Sequence, residues 1–231
     1  MIKYLQLQQH FDVEKIKAEM AQMEESRWKQ HYNKSHYEGQ WNVSPLRSLN
    51  GSAENIVSVH ATTNPYSDTP LLQSFPSIQS VLRFFACEKR AVRLMKLHAG
   101  AIIKEHCDQE MSFEEGEVRF HIPVTTNPGV AFYLEEEQVV MQEGECWYLN
   151  LSLKHRVKNA GTTDRVHLVI DCKVNEWVRN LFAQQARVQK QAEEKQHHHD
   201  PETTKKIIAE LRKQNTPTSL ELAANLENSL S

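Results

Sequence analysis

Hydrophobic positions change their spacing twice along this chain. Before about residue 90 they recur mostly at helical intervals. Ile16, Met20 and Met23 follow Asp12, a residue suited to cap a helix over Val13–Glu25. Leu72, Phe75, Ile78, Val81, Leu82 and Phe85 form a stripe that predicts a second helix over Leu71–Ala86. Between the two lies an aromatic and polar stretch, read as loop with a strand near Gln40–Arg47, and Ile56–His60 reads as a further short strand.

From Ala91 the apolar runs become short and evenly spaced, the pattern of a β sandwich or barrel. Eight strands are predicted: Ala91–Leu97, Ala101–His106, Val118–Val124, Val130–Leu134, Gln138–Met141, Glu145–Leu149, His155–Asn159 and Val166–Val174. Turn residues separate them, among them Glu115-Gly116, Asn127-Pro128-Gly129, Glu143-Gly144 and Asn159-Ala160-Gly161. Eight strands of this length fit a jelly roll, the double-stranded β-helix, in which distant segments become neighbours. After Val174 the chain turns helical and charged. One helix is predicted from Glu176 to about Gln196, and Trp177, Val178, Leu181 and Phe182 are expected to dock it on the sheet. A second begins at Asp200-Pro201-Glu202 and stops near Asn215-Thr216-Pro217, and a last one runs through Leu220 to Leu226. The expected class is mainly β, with N-terminal helices over residues 1–90, a jelly-roll core over 91–175 and a helical tail over 176–231. That tail reads as a lid, an arm for a homodimer or simply a solvated appendage.

Composition narrows the function classes. A formal charge of -3 and a pI near 6.5 argue against general nucleic-acid binding. No apolar run suits a membrane span, and MIKYLQLQQHFD lacks a secretory h-region, so a cytoplasmic protein is expected. Cys87, Cys107, Cys146 and Cys172 have no C-x-x-C spacing and read as reduced thiols.

The candidate chemistry starts at His106-Cys107-Asp108. Alternate residues of a strand share a face, so an H-x-D pair points two metal-binding groups the same way. With the distal His155 it makes the 2-His-1-carboxylate set of non-haem Fe(II) oxygenases, which leaves coordination positions open for a co-substrate and O2. Arg165, His167, Val169 and Asp171 share a face of the last predicted strand. A guanidinium there suits the far carboxylate of 2-oxoglutarate, because its fork matches a carboxylate. Arg119 and His121 form a second basic pair, read as part of a co-substrate clamp. Asn33, Tyr37, Trp41 and Arg47 are candidates for substrate contact. His197-His198-His199-Asp200 is not a candidate metal site, since adjacent helical residues point in different directions.

The segments R-F-H-I-P, G-E-C-W-Y-L-N-L-S-L-K-H and R-V-H-L-V-I-D resemble the aspartyl/asparaginyl β-hydroxylase family of Fe(II)/2-oxoglutarate dioxygenases, including its bacterial free-proline hydroxylases. The resemblance is strong over Leu94–Val174 and extends back through Trp28, His31, Tyr37, Gly39 and Trp41. It implies metal ligation by His106, Asp108 and His155. It also implies 2-oxoglutarate binding by Arg165, His121 and, less directly, Arg119. The implied reaction hydroxylates an amino-acid side chain, free or in a peptide, with release of succinate and CO2. Desaturation or epimerisation on the same fold, and a non-catalytic cupin-like binding module, stay open as alternatives.

Overall fold

The computed structural model describes residues 1–59, 62–197 and 201–228. Among the described residues, thirteen strands and five α-helices follow one another as β1 (Tyr4–His10), α1 (Glu14–Ala21), β2 (Lys29–Gln30), β3 (Tyr37–Glu38), β4 (Trp41–Leu49), β5 (Tyr66–Asp68), α2 (Pro76–Phe84), β6 (Lys89–Leu97), β7 (Ile102–His106), β8 (Glu117–Thr125), β9 (Val130–Leu134), β10 (Glu137–Val139), β11 (Glu145–Leu149), β12 (His155–Asn159), β13 (Arg165–Lys173), α3 (Glu176–His197), α4 (Pro201–Gln214) and α5 (Pro217–Asn228). Met1–Gln185 forms one compact unit and Ala186–Ser231 a second. In the second, Ile208 and Ala223 are buried, and Thr216 and Ser219 exchange hydrogen bonds at the start of α5.

Two antiparallel sheets make the jelly roll. The larger has the order β1-β11-β8-β13-β6-β4-β2, with β5 added to β4, and the smaller has the order β10-β9-β12-β7-β3. The central strands β6, β8 and β13 are buried on both faces. One face carries Leu94, Phe120, Ile122, Leu168 and Ile170 against the apolar sides of α1, α2 and the start of α3. The other carries Met95, Leu97 and Val169 toward Ile103, Phe132 and Val157 of the smaller sheet. A strand covered on two sides must be apolar on both except where polar groups meet each other, and that is where the site lies.

Most predicted elements appear, and the departures have local causes. The strand β1 was not among the expected ones; it pairs with β11 and buries Leu5 and Leu7, so its L-x-L alternation has a β cause. The expected helix over Leu71–Ala86 is broken: a 3-10 turn covers Pro70–Ser74 and α2 starts at Pro76. Proline forces its predecessor out of helical geometry, and Phe75 has φ -124° and ψ 66°. The first helix runs from Glu14 to Ala21 rather than from Val13 to Glu25. Val13, not Asp12, is its N-terminal cap, and Asp12 one residue earlier accepts the Glu14 amide through Oδ1. Ile56–Val59 is not a strand, and His60 lies outside the described residues, as do His198, His199 and Asp200. The docking of α3 is as expected: Val178 and Phe182 are buried, with Phe182 against Phe113 and Tyr148 at 4.7 and 4.8 Å between ring centroids.

Candidate active site

Strand pairing solves the problem of bringing a distant histidine to the H-x-D pair. β7 and β12 are antiparallel neighbours, and His155, the first residue of β12, stands directly opposite His106, the last of β7. Their ring centroids are 4.2 Å apart. Each ring also makes the same local bond: His106 Nδ1 donates to the Lys104 carbonyl at 2.8 Å, and His155 Nδ1 to the Leu153 carbonyl at 3.0 Å. A carbonyl only accepts, so both Nδ1 atoms carry hydrogen, and in the neutral ring this leaves the lone pair on Nε2. Burial holds His155 in the neutral form by lowering its pKa to about 4.

Asp108 follows β7 and is anchored by its amide, which donates to the Leu151 carbonyl at 2.8 Å. Its Oδ1 lies 3.7 Å from His106 Nε2. The ligand atoms of His106, Asp108 and His155 all fall within 4.8 Å of one another, a cluster that a single cation can bridge with bonds of about 2.0–2.2 Å after slight contraction.

Arg119 organises the wall behind this cluster. Its Nη1 donates to Asp108 Oδ2 at 2.5 Å, while Nε and Nη2 donate to the two oxygens of Asp171 at 2.6 and 3.0 Å. Asp171, fully buried, also accepts from Arg93 Nη2 at 2.7 Å. Burial raises the Asp171 carboxyl and the two guanidiniums more than reverse this, so it stays well below the usual carboxylate range. Burial likewise pushes Asp108 up, and Arg119 with the two imidazoles brings it below its ordinary value.

Arg165 is different. It is 3% exposed, and among the described residues it meets no carboxylate. Burial lowers its pKa to about 9, with no anion to offset it. Its Nη2 donates to His167 Nδ1 at 2.9 Å, its Nε has no hydrogen-bond partner, and neither has His121 Nε2. His167 lies behind the pair, 3.4 Å from His121 Nδ1. An unpaired cation inside a protein is costly, and structures keep one only where an anion completes it.

These groups line one cavity of about 330 Å³, with His106, Asp108 and His155 on one side and Arg93, Arg119, His121 and Arg165 on the other. The alternation of the strands explains the second set. Arg119 and His121 on β8 face the same way as Asp171 and Val169, their register partners on β13, and Val169 is in turn opposite Arg93 on β6. The stretch after β2 closes one end. His31 stacks on Trp41 at 3.6 Å and on Tyr32 at 4.7 Å, and Asn33 and His36 add polar edges. Gly39 permits this approach: its φ is +79° and a Cβ there would sit 2.9 Å from Ala101 Cβ.

Of the residues expected to touch substrate, Asn33 and Trp41 line the cavity and Tyr37 packs behind, donating to the His31 carbonyl. Arg47 does not. A register shift between Pro45 and Arg47 sends it away, and it bonds Asp68, the Lys89 carbonyl and the Tyr66 carbonyl instead. Arg93 was not anticipated; it sits in A-V-R-L-M-K-L, which reads as an ordinary core strand.

A family model described as aspartyl/asparaginyl β-hydroxylase matches residues 10–174. The chain belongs to that family. Both the triad strands and the Arg119–His121 and Arg165 strands fall inside the matched range. The L-proline cis-4-hydroxylase of Rhizobium meliloti (strain 1021) is 31% identical over 135 residues, which cover 58% of this chain and 48% of that protein. The chain therefore matches about half the length of that curated relative. Among solved structures, a prolyl-4-hydroxylase from Pseudomonas putida covers 74% of this chain and 92% of its own, at 15% identity and a TM-score of 0.47. An oxidoreductase of the 2OG-Fe(II) oxygenase family from Burkholderia pseudomallei covers 69% and 78%, at 12% identity and a TM-score of 0.46.

Proposed function

We propose that this aspartyl/asparaginyl β-hydroxylase family member is an Fe(II)- and 2-oxoglutarate-dependent dioxygenase that hydroxylates an amino-acid side chain. The observation that carries the reading is the juxtaposition of the His106–Asp108–His155 cluster with Arg165, a buried cation without an acidic partner, in one cavity. A structural metal site has no need of such a cation. A keto acid with two carboxylates does, one for the metal and one for the arginine.

The donor set fits Fe(II): two imidazole nitrogens and a carboxylate oxygen on one side, with the cavity on the other. His106, Asp108 and His155 would hold the metal, and Arg165 with His121 Nε2 the far carboxylate of 2-oxoglutarate. When bound, this pair supplies the oxidising power of O2, with the keto acid leaving as succinate and CO2. The chain's own residues prepare for it. The Lys104 and Leu153 carbonyls fix both imidazole tautomers before metal arrives. Arg119 keeps Asp108 ionised and aimed. His167 orients the Arg165 guanidinium. The apolar walls Phe132, Val157, Ile103 and Leu151 exclude water and place a C–H bond rather than a polar group beside the cluster. A cytoplasmic setting belongs to the same proposal, supported by four cysteines that are all free thiols.

The test is succinate release from 2-oxoglutarate by purified protein with Fe(II) and ascorbate, over free amino acids and Asp/Asn-containing peptides. The expected result is one added oxygen on a panel member in step with succinate, absent in His155→Ala. Metal-loaded protein that neither binds 2-oxoglutarate nor forms succinate overturns the reading.

A further inference from the structure

Two of the four thiols meet on the helix side of the large sheet, outside the cavity that holds the triad. Cys172 follows Asp171 in β13 and belongs to the opposite face, in the cluster of Phe85, Leu168 and Ile170, where it is fully buried. It stands opposite Lys89 in the β13–β6 register, and the next amide, that of Lys173, donates to the Glu88 carbonyl at 3.0 Å. The chain from Lys89 back to Cys87 therefore continues alongside β13, which makes Cys87 the diagonal neighbour of Cys172. Both side chains pack in the same cluster, and their thiols hydrogen bond to each other.

A buried cysteine is ordinarily a small apolar filler, and Cys146 fits that description. Cys87 does not. It is half-buried and lines an outer groove of about 700 Å³ together with Arg47, Asp68, Arg83, Glu88 and Lys89. Arg47 answers Asp68 and Lys173 answers Glu88, so both acids of the groove are already matched. Lys89 Nζ donates to the Phe85 and Cys87 carbonyls at 2.6 and 3.2 Å, which fixes an ammonium beside this turn without neutralising it. The Cys172 thiol, and after it the Lys89 ammonium, hold the Cys87 thiol below its usual value against the effect of burial. Burial pushes the Cys172 thiol the other way. One sulfur is thus open to reagents and ready to ionise, and the second waits behind it as a thiol.

We propose that Cys87 and Cys172 form a reversible disulfide in response to hydroperoxides, with Cys87 as the attacking sulfur and Cys172 as the resolving one. The Cys87 thiolate attacks one peroxide oxygen, and the O–O bond breaks. With hydrogen peroxide the leaving hydroxide takes a proton and departs as water, and Cys87 is oxidised to a sulfenic acid. The Cys172 sulfur gives up its proton and attacks the Cys87 sulfur, whose S–O bond breaks to release a second water. Two thiols have lost two hydrogens, and the peroxide is reduced to water. A small thiol entering the groove reverses the bond by exchange and is itself oxidised. The disulfide would tie the turn between α2 and β6 to β13, one residue from Asp171, the carboxylate that holds Arg93 and Arg119.

The test is a disulfide map of full-length protein, reduced, desalted and kept in EDTA so that no metal decomposes the peroxide. After brief exposure to a small excess of hydrogen peroxide at neutral pH, the sample is quenched in acid and digested without reductant for mass spectrometry. A linked pair of peptides carrying Cys87 and Cys172, two hydrogens lighter than the separate ones, is expected, and dithiothreitol should part them. Loss of the Cys87 thiol is expected to run about tenfold faster than that of N-acetylcysteine, since a free thiol is only a few per cent ionised at neutral pH. In Cys172→Ala, Cys87 is expected to stop at the sulfenic acid and to be trapped by dimedone. Cys87 carried to the sulfinic or sulfonic acid while Cys172 stays a thiol overturns the inference. So do two unreacted thiols, a pairing with Cys107 instead, or a rate no faster than that of N-acetylcysteine. If Cys172→Ala does not fold, the map and the rate of the wild type decide.

Discussion

His155 stands opposite His106 across the β12–β7 pair, and both rings give their Nδ1 hydrogen to a carbonyl two residues earlier in their own strand. The same backbone device used twice leaves two Nε2 lone pairs side by side before any cation arrives, with Asp108 close by. On the proposed function, replacing either histidine by alanine should weaken Mn(II) binding beyond the roughly 10–100-fold typical of losing an outer-sphere partner. Mn(II) electron paramagnetic resonance checks this, and tight binding retained by His155→Ala would sink the ligand set.

Arg165→Met separates stability from function. An unpaired guanidinium is buried in the metal-free protein, so an apolar replacement of similar length should raise its unfolding free energy by about 1–3 kcal/mol. The same change should abolish the gain in Tm that 2-oxoglutarate gives the metal-loaded wild type. Thermal scans with and without 2-oxoglutarate measure both, and a variant still stabilised by 2-oxoglutarate would move the clamp elsewhere.

Asp171 holds two arginines, so Asp171→Asn should cost about 3–5 kcal/mol in urea denaturation, the usual penalty for stripping a buried pair of one partner. Loss of under about 1 kcal/mol would mean that Arg93 and Arg119 find other anions.

Metal-free protein should lose stability with acid in a defined window. His155 has its folded pKa depressed to about 4 and His31 to about 3, both chiefly by burial, against about 6.5 in an unfolded chain. Between those values the unfolded state binds more protons than the folded one, so stability rises with pH from about 4 to about 6.5 and is flat above for these groups. Urea midpoints across pH 4–8 test the sign. A curve that is level below pH 6.5 contradicts it.

How far the sequence was legible follows from what each residue depends on. His106 and Asp108 declare themselves through local spacing, although β7 ends at His106 and Asp108 is placed by its amide on the Leu151 carbonyl rather than by strand alternation. Arg165 shares a strand face with Asp171, and there period-two reasoning holds. His121 is legible for the same reason. Arg119 is legible as a cavity residue, but its bonds to Asp108 and Asp171 depend on β8 lying between β11 and β13, which no local pattern states. Arg93 hid because β6 is buried on both faces, and a strand of that kind reads as apolar core with stray charges. Arg47 looked equally well placed until a register shift turned it away. The helix over Leu71–Ala86 shows the opposite failure: the apolar stripe is real, but Pro76 overrides it.

The double coverage of the large sheet has a further result. β8 and β13 bear Arg119, His121, Arg165 and His167 on one face and Phe120, Ile122, Leu168 and Ile170 on the other, so the groups of the cavity and the packing of the helices hang on the same backbone. Their amides have no solvent side from which to exchange. Deuterium should enter these strands only when the whole unit opens, at the rate set by global stability, while Tyr32 at the cavity edge exchanges far sooner.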